Sequence, residues 1–223
     1  MSSRSLYITQ TIFHRLLRCV LLVLLRAEVV GNINVFTKNQ GTSLIIAANH
    51  RSRIDPFLLA LLPRRQLDLI LPISFPTTEV YYRRLLFRLW IAPLGAYSIP
   101  QYATTVDEYL NETIKKLKAG NTVMLFPEAR LVTHGGKGVA KAGIIIAAQR
   151  SGARIIPIQI EGSQLVSFWN ILTRQVGVRI IVGELFDLNK NITEENMPAC
   201  RAESARLLNV IYTLTNNNAS RAR

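Results

Sequence analysis

Acidic residues and cysteines are scarce in this sequence. Asp and Glu number 14 against 27 Lys and Arg in 223 residues, which gives a formal charge of +13. Such a basic chain suits an anionic partner, whether nucleic acid, an acidic membrane surface or an acidic carrier protein. The two cysteines, Cys19 and Cys200, are too few and too distant to predict a disulfide framework or a zinc site. Because about half of the residues are apolar and no repeat is visible, we expect one packed globular domain.

The sequence also lacks a long uncharged apolar run in its N-terminal part. Within Leu6–Arg26 the longest such run, Cys19–Leu25, is far shorter than the roughly 20 residues that span a bilayer, and no clean signal-peptide cleavage site follows. A helix packed on the protein's own core fits this apolar pattern as well as a membrane-bound one. Because Cys19 lies within the apolar run, we expect it to be buried. The density of arginines favours an amphipathic helix in the membrane interface for residues 1–28, with these side chains at the lipid headgroups: Arg4, Arg15, Arg18 and Arg26.

A second stretch, Tyr81–Trp90, mixes aromatic and basic side chains. Tyr, Trp and Arg are typical of the membrane–water interface. An amphipathic helix with a solvated basic face fits the pattern equally well. Nucleic-acid bases stacked on the tyrosines are a third interpretation, which no recognised nucleic-acid motif supports.

The remaining pattern predicts an α/β fold, with a mixed, mostly parallel sheet flanked by helices. Residues 29–215 would form this domain and residues 216–223 a frayed tail. Hydrophobic periodicity and capping signals predict strands at Val29–Phe36, Leu67–Ile73 and Val176–Val182, and helices at Pro56–Leu62, from Thr105 to Gly120, at Val139–Arg150 and at Pro198–Thr215.

One motif, in Asn49–Pro56, places His50 and Asp55 five residues apart, directly after the apolar run Leu44–Ala48. A carboxylate that fixes the tautomer of an imidazole and stabilises its protonated form is the working part of a general base. Asp55 is also a common type of helix N-cap, and in that interpretation the pair has no catalytic meaning. The motif therefore needs support from elsewhere in the chain.

That support comes from Val123–Arg130, an apolar run that ends in a carboxylate and a guanidinium. Arg is suited to bidentate recognition of phosphate, and loops beyond the carboxyl ends of strands are where open α/β folds bind ligands. A solvated ion pair between Glu128 and Arg130 is the alternative interpretation. A third run, Ile155–Gly162, repeats the pattern of an apolar strand followed by a polar turn.

Together these blocks resemble the glycerolipid (lysophospholipid) acyltransferases, whose signature is H-x-x-x-x-D, a block with Gly, F-P-E-G-x-R or a close variant, and an apolar strand with Pro. The resemblance covers about residues 30–185 and implies that His50 is the base and Asp55 its orienting partner. It places Glu128 and Arg130 in the acceptor site, where Glu128 would orient Arg130 or hydrogen-bond the glycerol. The matching blocks are His50 to Asp55, Gly95–Pro100, Phe126-Pro127-Glu128-Ala129-Arg130 and Ile156–Ile158, and we include Phe126 and Pro127 in the predicted substrate site.

Two residues depart from the family pattern. Ala129 stands where the third block usually has Gly, which restricts a positive φ. Pro100-Gln101 stand where lysophosphatidic acid acyltransferases usually have an Arg that helps to hold the acceptor phosphate. Loss of a guanidinium weakens recognition of a phosphomonoester dianion more than that of a phosphodiester. The chain looks most like the acyltransferase half of the bacterial bifunctional acyltransferase/acyl-carrier-protein synthetase, which reacylates lysophosphatidylethanolamine.

The resemblance implies acyl transfer from a thioester, acyl carrier protein or acyl-CoA, to a lysophospholipid at the cytoplasmic face of the cell membrane. We favour lysophosphatidylethanolamine as acceptor, with lysophosphatidic acid as the alternative. No further cofactor is expected, and no metal, since His14 and His134 have no ligand-like spacing to His50. Two functions of other classes remain open: a catalytically silent membrane-binding protein with the same fold, and a hydrolase that uses the same base on water.

Overall fold

The computed structural model describes residues 3–132, 136–166, 169–170 and 177–219. Its strands are β1 Arg26–Gly31, β2 Leu44–Ala48, β3 Ile73–Thr78, β4 Ala96–Ile99, β5 Thr122–Leu125, β6 Arg154–Glu161 and β7 Gly177–Val182. They form a seven-stranded sheet in the order β1-β7-β6-β2-β5-β3-β4. All neighbouring strands are parallel except β6 and β7, which confirms the predicted mixed, mostly parallel α/β fold.

The helices pack on both faces of this sheet. Strand β2 lies in its middle and all of its residues are buried. The helices are α1 Ser3–Leu24, α2 Val35–Lys38, α3 Asp55–Leu58, α4 Arg64–Ile70, α5 Glu79–Tyr82, α6 Leu85–Ile91, α7 Val106–Lys118, α8 Gly143–Ser151 and α9 Met197–Ala219, with 3-10 turns at Leu59–Leu61 and Ser163–Leu165. Because side chains alternate along a strand, Ile46 joins the core beneath α3 and α4, whereas Ile45 joins the core beneath α7, α8 and α9.

Helix α7 begins and ends where its capping residues predict. The Glu108 N–H donates to Thr105 Oγ1 at 3.1 Å, and Gly120 takes a φ of 81° just past the last turn. Strand β7 matches the predicted strand at Val176–Val182 from Gly177 onward. The helix predicted at Val139–Arg150 is shorter and begins at Gly143.

Two of the predicted strands are wrong in whole or in part. Strand β1 ends at Gly31, whose φ of 93° takes the chain out of the extended conformation, and α2 follows within the predicted Val29–Phe36. The predicted strand at Leu67–Ile73 is mostly helix, because α4 buries Leu67 and Ile70 three residues apart on one helical face.

The helical segments after the first motif and at the end of the chain also differ from the prediction. The helix expected at Pro56–Leu62 is divided into α3 and the 3-10 turn that follows it. Helix α9 continues to Ala219, past the expected start of a frayed tail at residue 216. Residues 220–223 lie outside the described residues.

Helix α1 turns its polar side towards the domain. Gln10 is fully buried, and its amide bonds the N–H and the carbonyl of Ile73 at 2.8 and 2.7 Å. Arg15 forms an ion pair with Asp68 at 3.3 Å. Arg18 donates to the carbonyl oxygens of the turn Leu59–Leu61. The prediction that Arg15 and Arg18 face lipid headgroups is therefore wrong, because both hold the helix against the protein.

The opposite side of α1 is apolar and points away from the domain. Cys19 is exposed there, contrary to the prediction of burial. Leu6–Leu24 has a mean hydropathy of 1.3 with 11% of its residues buried, so by length and composition it is apolar enough to cross a membrane, as signal sequences and buried core helices also are. This corrects the prediction that the segment is too short. The side chains more than half exposed are Ile8, Ile12, Leu16, Val20 and Val23.

Candidate active site

The sequence motifs meet at the carboxyl ends of the central strands. Strand β2 lies between β5 and β6 and runs parallel to both, so the residues that follow β2 and β5 emerge side by side. Asn49 joins this point to β6, because its amide bonds the carbonyl of Ile160 at 2.8 Å and the N–H of Ile160 at 2.7 Å. The main chain that leads into His50, the next residue, is therefore held in place.

His50 and Asp55 form the predicted pair. Nδ1 of His50 lies 2.9 Å from Oδ2 of Asp55, and the Asp55 side chain is fully buried. The same oxygen accepts the N–H groups of Arg51 and Ser52, each at 2.8 Å. These donors stabilise the buried carboxylate, which in turn requires the proton of the neutral imidazole on Nδ1. Asp55 is not an N-cap, because its carboxylate bonds residues that precede it and α3 begins at Asp55 itself.

The His50 ring is also held from one side by Phe126. The two rings are stacked with centroids 4.0 Å apart and an interplanar angle of 16°. The His50 side chain keeps 19% of its surface exposed, and none of the described residues hydrogen-bonds Nε2. The arrangement leaves Nε2 as the nitrogen that can take a proton from a bound molecule.

Glu128 is fully buried behind His50. Its Oε2 accepts the main-chain N–H of His50 at 2.8 Å. Its Oε1 accepts the hydroxyl of Tyr212 at 2.8 Å and the N–H of Gly138 at a longer 3.4 Å. The carboxylate thereby joins three separate segments: the loop after β2, the loop that precedes α8, and α9.

Comparison with known proteins shows which family this chain belongs to. The sequence model of the Acyltransferase family matches residues 27–161, which include the His50 and Glu128 motifs. The chain belongs to the Acyltransferase family. It is an acyltransferase, and the family predicted from the motifs is confirmed. The fold is also similar to the crystal structure of the 1-acyl-sn-glycerophosphate (LPA) acyltransferase, PlsC, from Thermotoga maritima, with a TM-score of 0.62, 21% identity, and coverage of 88% of this chain and 74% of that one.

The predicted substrate residues of this acyltransferase differ in how exposed they are. Arg130 is exposed and forms no ion pair or hydrogen bond with the described residues, so its guanidinium is available at the surface. Phe126 is half-buried, against His50. Pro127 is buried, and its carbonyl accepts the N–H of Lys141 at 2.8 Å. Of this block, Arg130 and Phe126 are the side chains that a substrate can reach.

The structure gives Glu128 contacts that differ from those predicted. Its oxygens bond His50, Gly138 and Tyr212 rather than Arg130, and full burial keeps the carboxylate from a glycerol at the surface. The expected orienting contact between Glu128 and Arg130 is therefore corrected. The sequence motif identified the residue but not the direction in which its side chain points.

The two departures from the family pattern have different structural consequences. Ala129 has a φ of 52°, so the backbone keeps the left-handed conformation that a Gly would adopt without strain. Gln101 is exposed, just after β4, and donates to the Tyr102 hydroxyl at 3.3 Å. The first departure is thus accommodated in a left-handed backbone conformation, whereas the second leaves an uncharged side chain at the surface.

Sequence reasoning missed Tyr212. It lies on α9, 51 residues beyond the last residue of the family match, and no motif marks it. The guanidinium carbon of Arg51 and Nζ of Lys137 lie 5.4 and 5.7 Å from the centre of its ring. His134 falls outside the described residues. Within the described ranges no group of three or more His, Cys, Asp or Glu side chains is placed to hold a metal.

Proposed function

We propose that this acyltransferase moves an acyl chain from a thioester donor to the free hydroxyl of a lysophospholipid. The observation that carries the proposal is the 2.9 Å contact between Nδ1 of His50 and the buried Asp55, which leaves Nε2 unbonded by the described residues. A neutral imidazole in this tautomer is suited to remove the proton of a hydroxyl group. The donor is an acyl carrier protein or CoA thioester, both anionic, which suits a chain with a formal charge of +13.

The reaction needs no acyl-enzyme. Nε2 of His50 takes the hydroxyl proton as the acceptor oxygen attacks the thioester carbonyl carbon. The tetrahedral intermediate then breaks its carbon–sulfur bond, and the departing thiolate receives the proton from the imidazolium. The Asp55 carboxylate stabilises the imidazolium between these two steps. The products are a diacyl phospholipid and a free thiol, so atoms and charge balance.

Arg130 is our proposed anchor for the acceptor phosphate, because its guanidinium is exposed beside the motif that carries Glu128. Gln101 stands where related lysophosphatidic acid acyltransferases usually have a second Arg. A single guanidinium matches the one negative charge of a phosphodiester better than the two of a phosphomonoester. We therefore favour lysophosphatidylethanolamine as acceptor. Lysophosphatidic acid remains the second candidate, since the similar structure from Thermotoga maritima is described as an LPA acyltransferase.

The outward apolar side of α1 supports association with a membrane. We propose that α1 lies in the interface, because Gln10, Arg15 and Arg18 hold its other side on the domain. Helix α6 adds exposed Leu89 and Trp90, at 61% and 72% of their surfaces. We place the enzyme at the cytoplasmic face of the cell membrane, where acyl thioesters are present.

The test is a transfer assay with the purified full chain in anionic mixed micelles. A labelled acyl thioester is offered with lysophosphatidic acid and lysophosphatidylethanolamine side by side, and His50→Ala is the control. Transfer that depends on His50, with preference for lysophosphatidylethanolamine, is the expected result. Fatty acid released without any acceptor would instead indicate a hydrolase.

A charge-restoring variant tests the acceptor assignment separately. Gln101→Arg supplies the second guanidinium, so we expect the ratio of kcat/KM for lysophosphatidic acid over lysophosphatidylethanolamine to rise about tenfold, the effect of one charge-assisted hydrogen bond. Gln101→Met, of similar size and uncharged, is the matched control and should leave the ratio unchanged. A wild type that already prefers lysophosphatidic acid would overturn the acceptor but not the mechanism.

A further inference from the structure

We propose that Tyr212 is a positioning residue for catalysis, which acts through Glu128 on the main chain of His50. The inference rests on the proposed function, because it assumes that His50 is the base. Tyr212 belongs to α9, whereas the family match ends at residue 161. The C-terminal helix thus supplies a group that the shared motifs do not contain.

The geometry is a relay of two short hydrogen bonds. The Tyr212 hydroxyl donates to Oε1 of Glu128 at 2.8 Å, and Oε2 accepts the N–H of His50, also at 2.8 Å. Gly138 contributes a third donor, but at 3.4 Å its bond is long. A buried carboxylate loses its hydration, so each hydrogen-bond donor to its oxygens contributes to its stability. Oε1 therefore depends mainly on Tyr212.

The surroundings keep Tyr212 in place as a donor. Burial, with help from Glu128, raises the pKa of the Tyr212 hydroxyl against the opposing effect of Arg51, so the hydroxyl stays protonated. Arg51 and Lys137 approach its ring as cations, and Nζ of Lys137 also donates to Oδ1 of Asn209 on the same helix at 3.1 Å. These contacts join α9 to both loops that flank the site.

Loss of this hydroxyl would act on catalysis through position. With Oε1 poorly satisfied, the Glu128 side chain would shift, and its bond to the His50 N–H would weaken. The main chain of His50 would then be free to move, and its ring with it relative to Asp55 and Phe126. Small displacements of a base are costly, since misplacement by about 1 Å can reduce a rate about 100-fold.

The test compares Tyr212→Phe with Tyr109→Phe. Tyr109, on α7, is also half-buried, but its hydroxyl bonds none of the described residues. For Tyr212→Phe we expect kcat about tenfold lower with both KM values within about twofold, because one charge-assisted hydrogen bond is lost away from the substrates. Amide hydrogen exchange at the His50 N–H, measured without substrate, should become about tenfold faster. Tyr109→Phe should change neither quantity.

A double-mutant cycle shows whether the effect passes through Glu128. In the Glu128→Gln background, Tyr212→Phe should lower kcat by less than about twofold, because residues of one network are not additive. Additive effects, or unchanged exchange at His50 in Tyr212→Phe, would overturn the proposal. A wild type that transfers no acyl group, with the exchange difference still present, would overturn the proposed function alone.

Discussion

Asp55 bonds His50 through the same oxygen, Oδ2, that accepts the N–H groups of Arg51 and Ser52. The carboxylate is fully buried, and these donors replace the hydration that Oδ2 loses. One turn of chain therefore closes on itself and presents the imidazole with its proton on Nδ1. The Asp55 carboxylate therefore determines both the shape of the loop and the tautomer of His50.

Replacement of Asp55 by Asn should separate these two effects. Asn keeps an acceptor for the main-chain N–H groups but no charge to favour Nδ1–H or the imidazolium. We expect kcat to fall about 100-fold to 10,000-fold, the range found when a base loses its carboxylate partner or its function. Single-turnover transfer assays measure this directly, because they report chemistry rather than product release.

His50→Ala is the reference for the same experiment. It should lose at least as much activity as Asp55→Asn, and circular dichroism should show both variants folded. If Asp55→Asn kept wild-type kcat while His50→Ala lost it, the carboxylate would serve the loop alone. Residual activity in His50→Ala equal to the wild type would exclude His50 as the base.

Ala129→Gly should stabilise the protein. Ala129 is exposed with a φ of 52°, a conformation that costs an L-residue about 1–2 kcal/mol and costs Gly little. After allowance for the greater flexibility of Gly in the unfolded chain, a net gain of about 0.5–1 kcal/mol remains, or about 1–4 °C in Tm for a chain of this length. Ala119→Gly is the matched control: Ala119 is exposed too, but at a φ of −79°, so Gly should stabilise nothing there. An equal rise in both variants would contradict the argument from φ.

The sequence was sufficient to predict the centre of the fold and of the site. Apolar runs buried on both faces, such as Leu44–Ala48, indicate central strands of a parallel sheet, and polar residues after them lie at one edge. The contact between His50 and Asp55 required only this placement and a tight turn. Both features depend on residues that are close together in the sequence.

Other features depend on tertiary contacts and could not be read from the sequence. The sequence pattern predicts that Glu128 pairs with Arg130 at the surface. In the structure its carboxylate instead accepts the hydroxyl of Tyr212, 84 residues later in the chain. The pattern of α1 marks two sides but not which one faces the protein. The side of α1 that carries Arg18 faces the protein, because Arg18 donates to carbonyl groups of a turn that no motif predicts.

Leu16→Ser should weaken binding to vesicles. Leu16 is 62% exposed on the outward side of α1, and insertion of a Leu side chain into an apolar phase is worth about 1.5–3 kcal/mol. We therefore expect at least about tenfold weaker partitioning to phosphatidylglycerol-containing vesicles, measured by cosedimentation. Leu185→Ser, in the segment that follows β7 and 37% exposed in the wild type, is the control and should bind normally. Equal loss in both variants would exclude a specific role for α1.

His14 should make the protein less stable in mild acid. Its ring is buried on the domain side of α1, and this burial lowers its pKa from 6.5 to about 4, an effect that the Leu94 backbone opposes only in part. Above pH 6.5 His14 is neutral in both the folded and the unfolded chain and contributes no pH dependence. Between pH 6.5 and 4 the unfolded chain binds the proton first, so the free energy of unfolding falls, by about 2 kcal/mol at pH 5.

His14→Met isolates this contribution, because Met is apolar, of similar volume and does not titrate. Between pH 7.5 and pH 5 the Tm of the wild type should fall about 4–8 °C more than that of His14→Met, since about 1 kcal/mol corresponds to about 2–4 °C in a domain of this size. Differential scanning calorimetry of both proteins in the same detergent gives the comparison, and carboxylates that titrate in the same range cancel. Parallel pH profiles would show that His14 is hydrated in the folded state and that α1 packs less closely on the domain at this point.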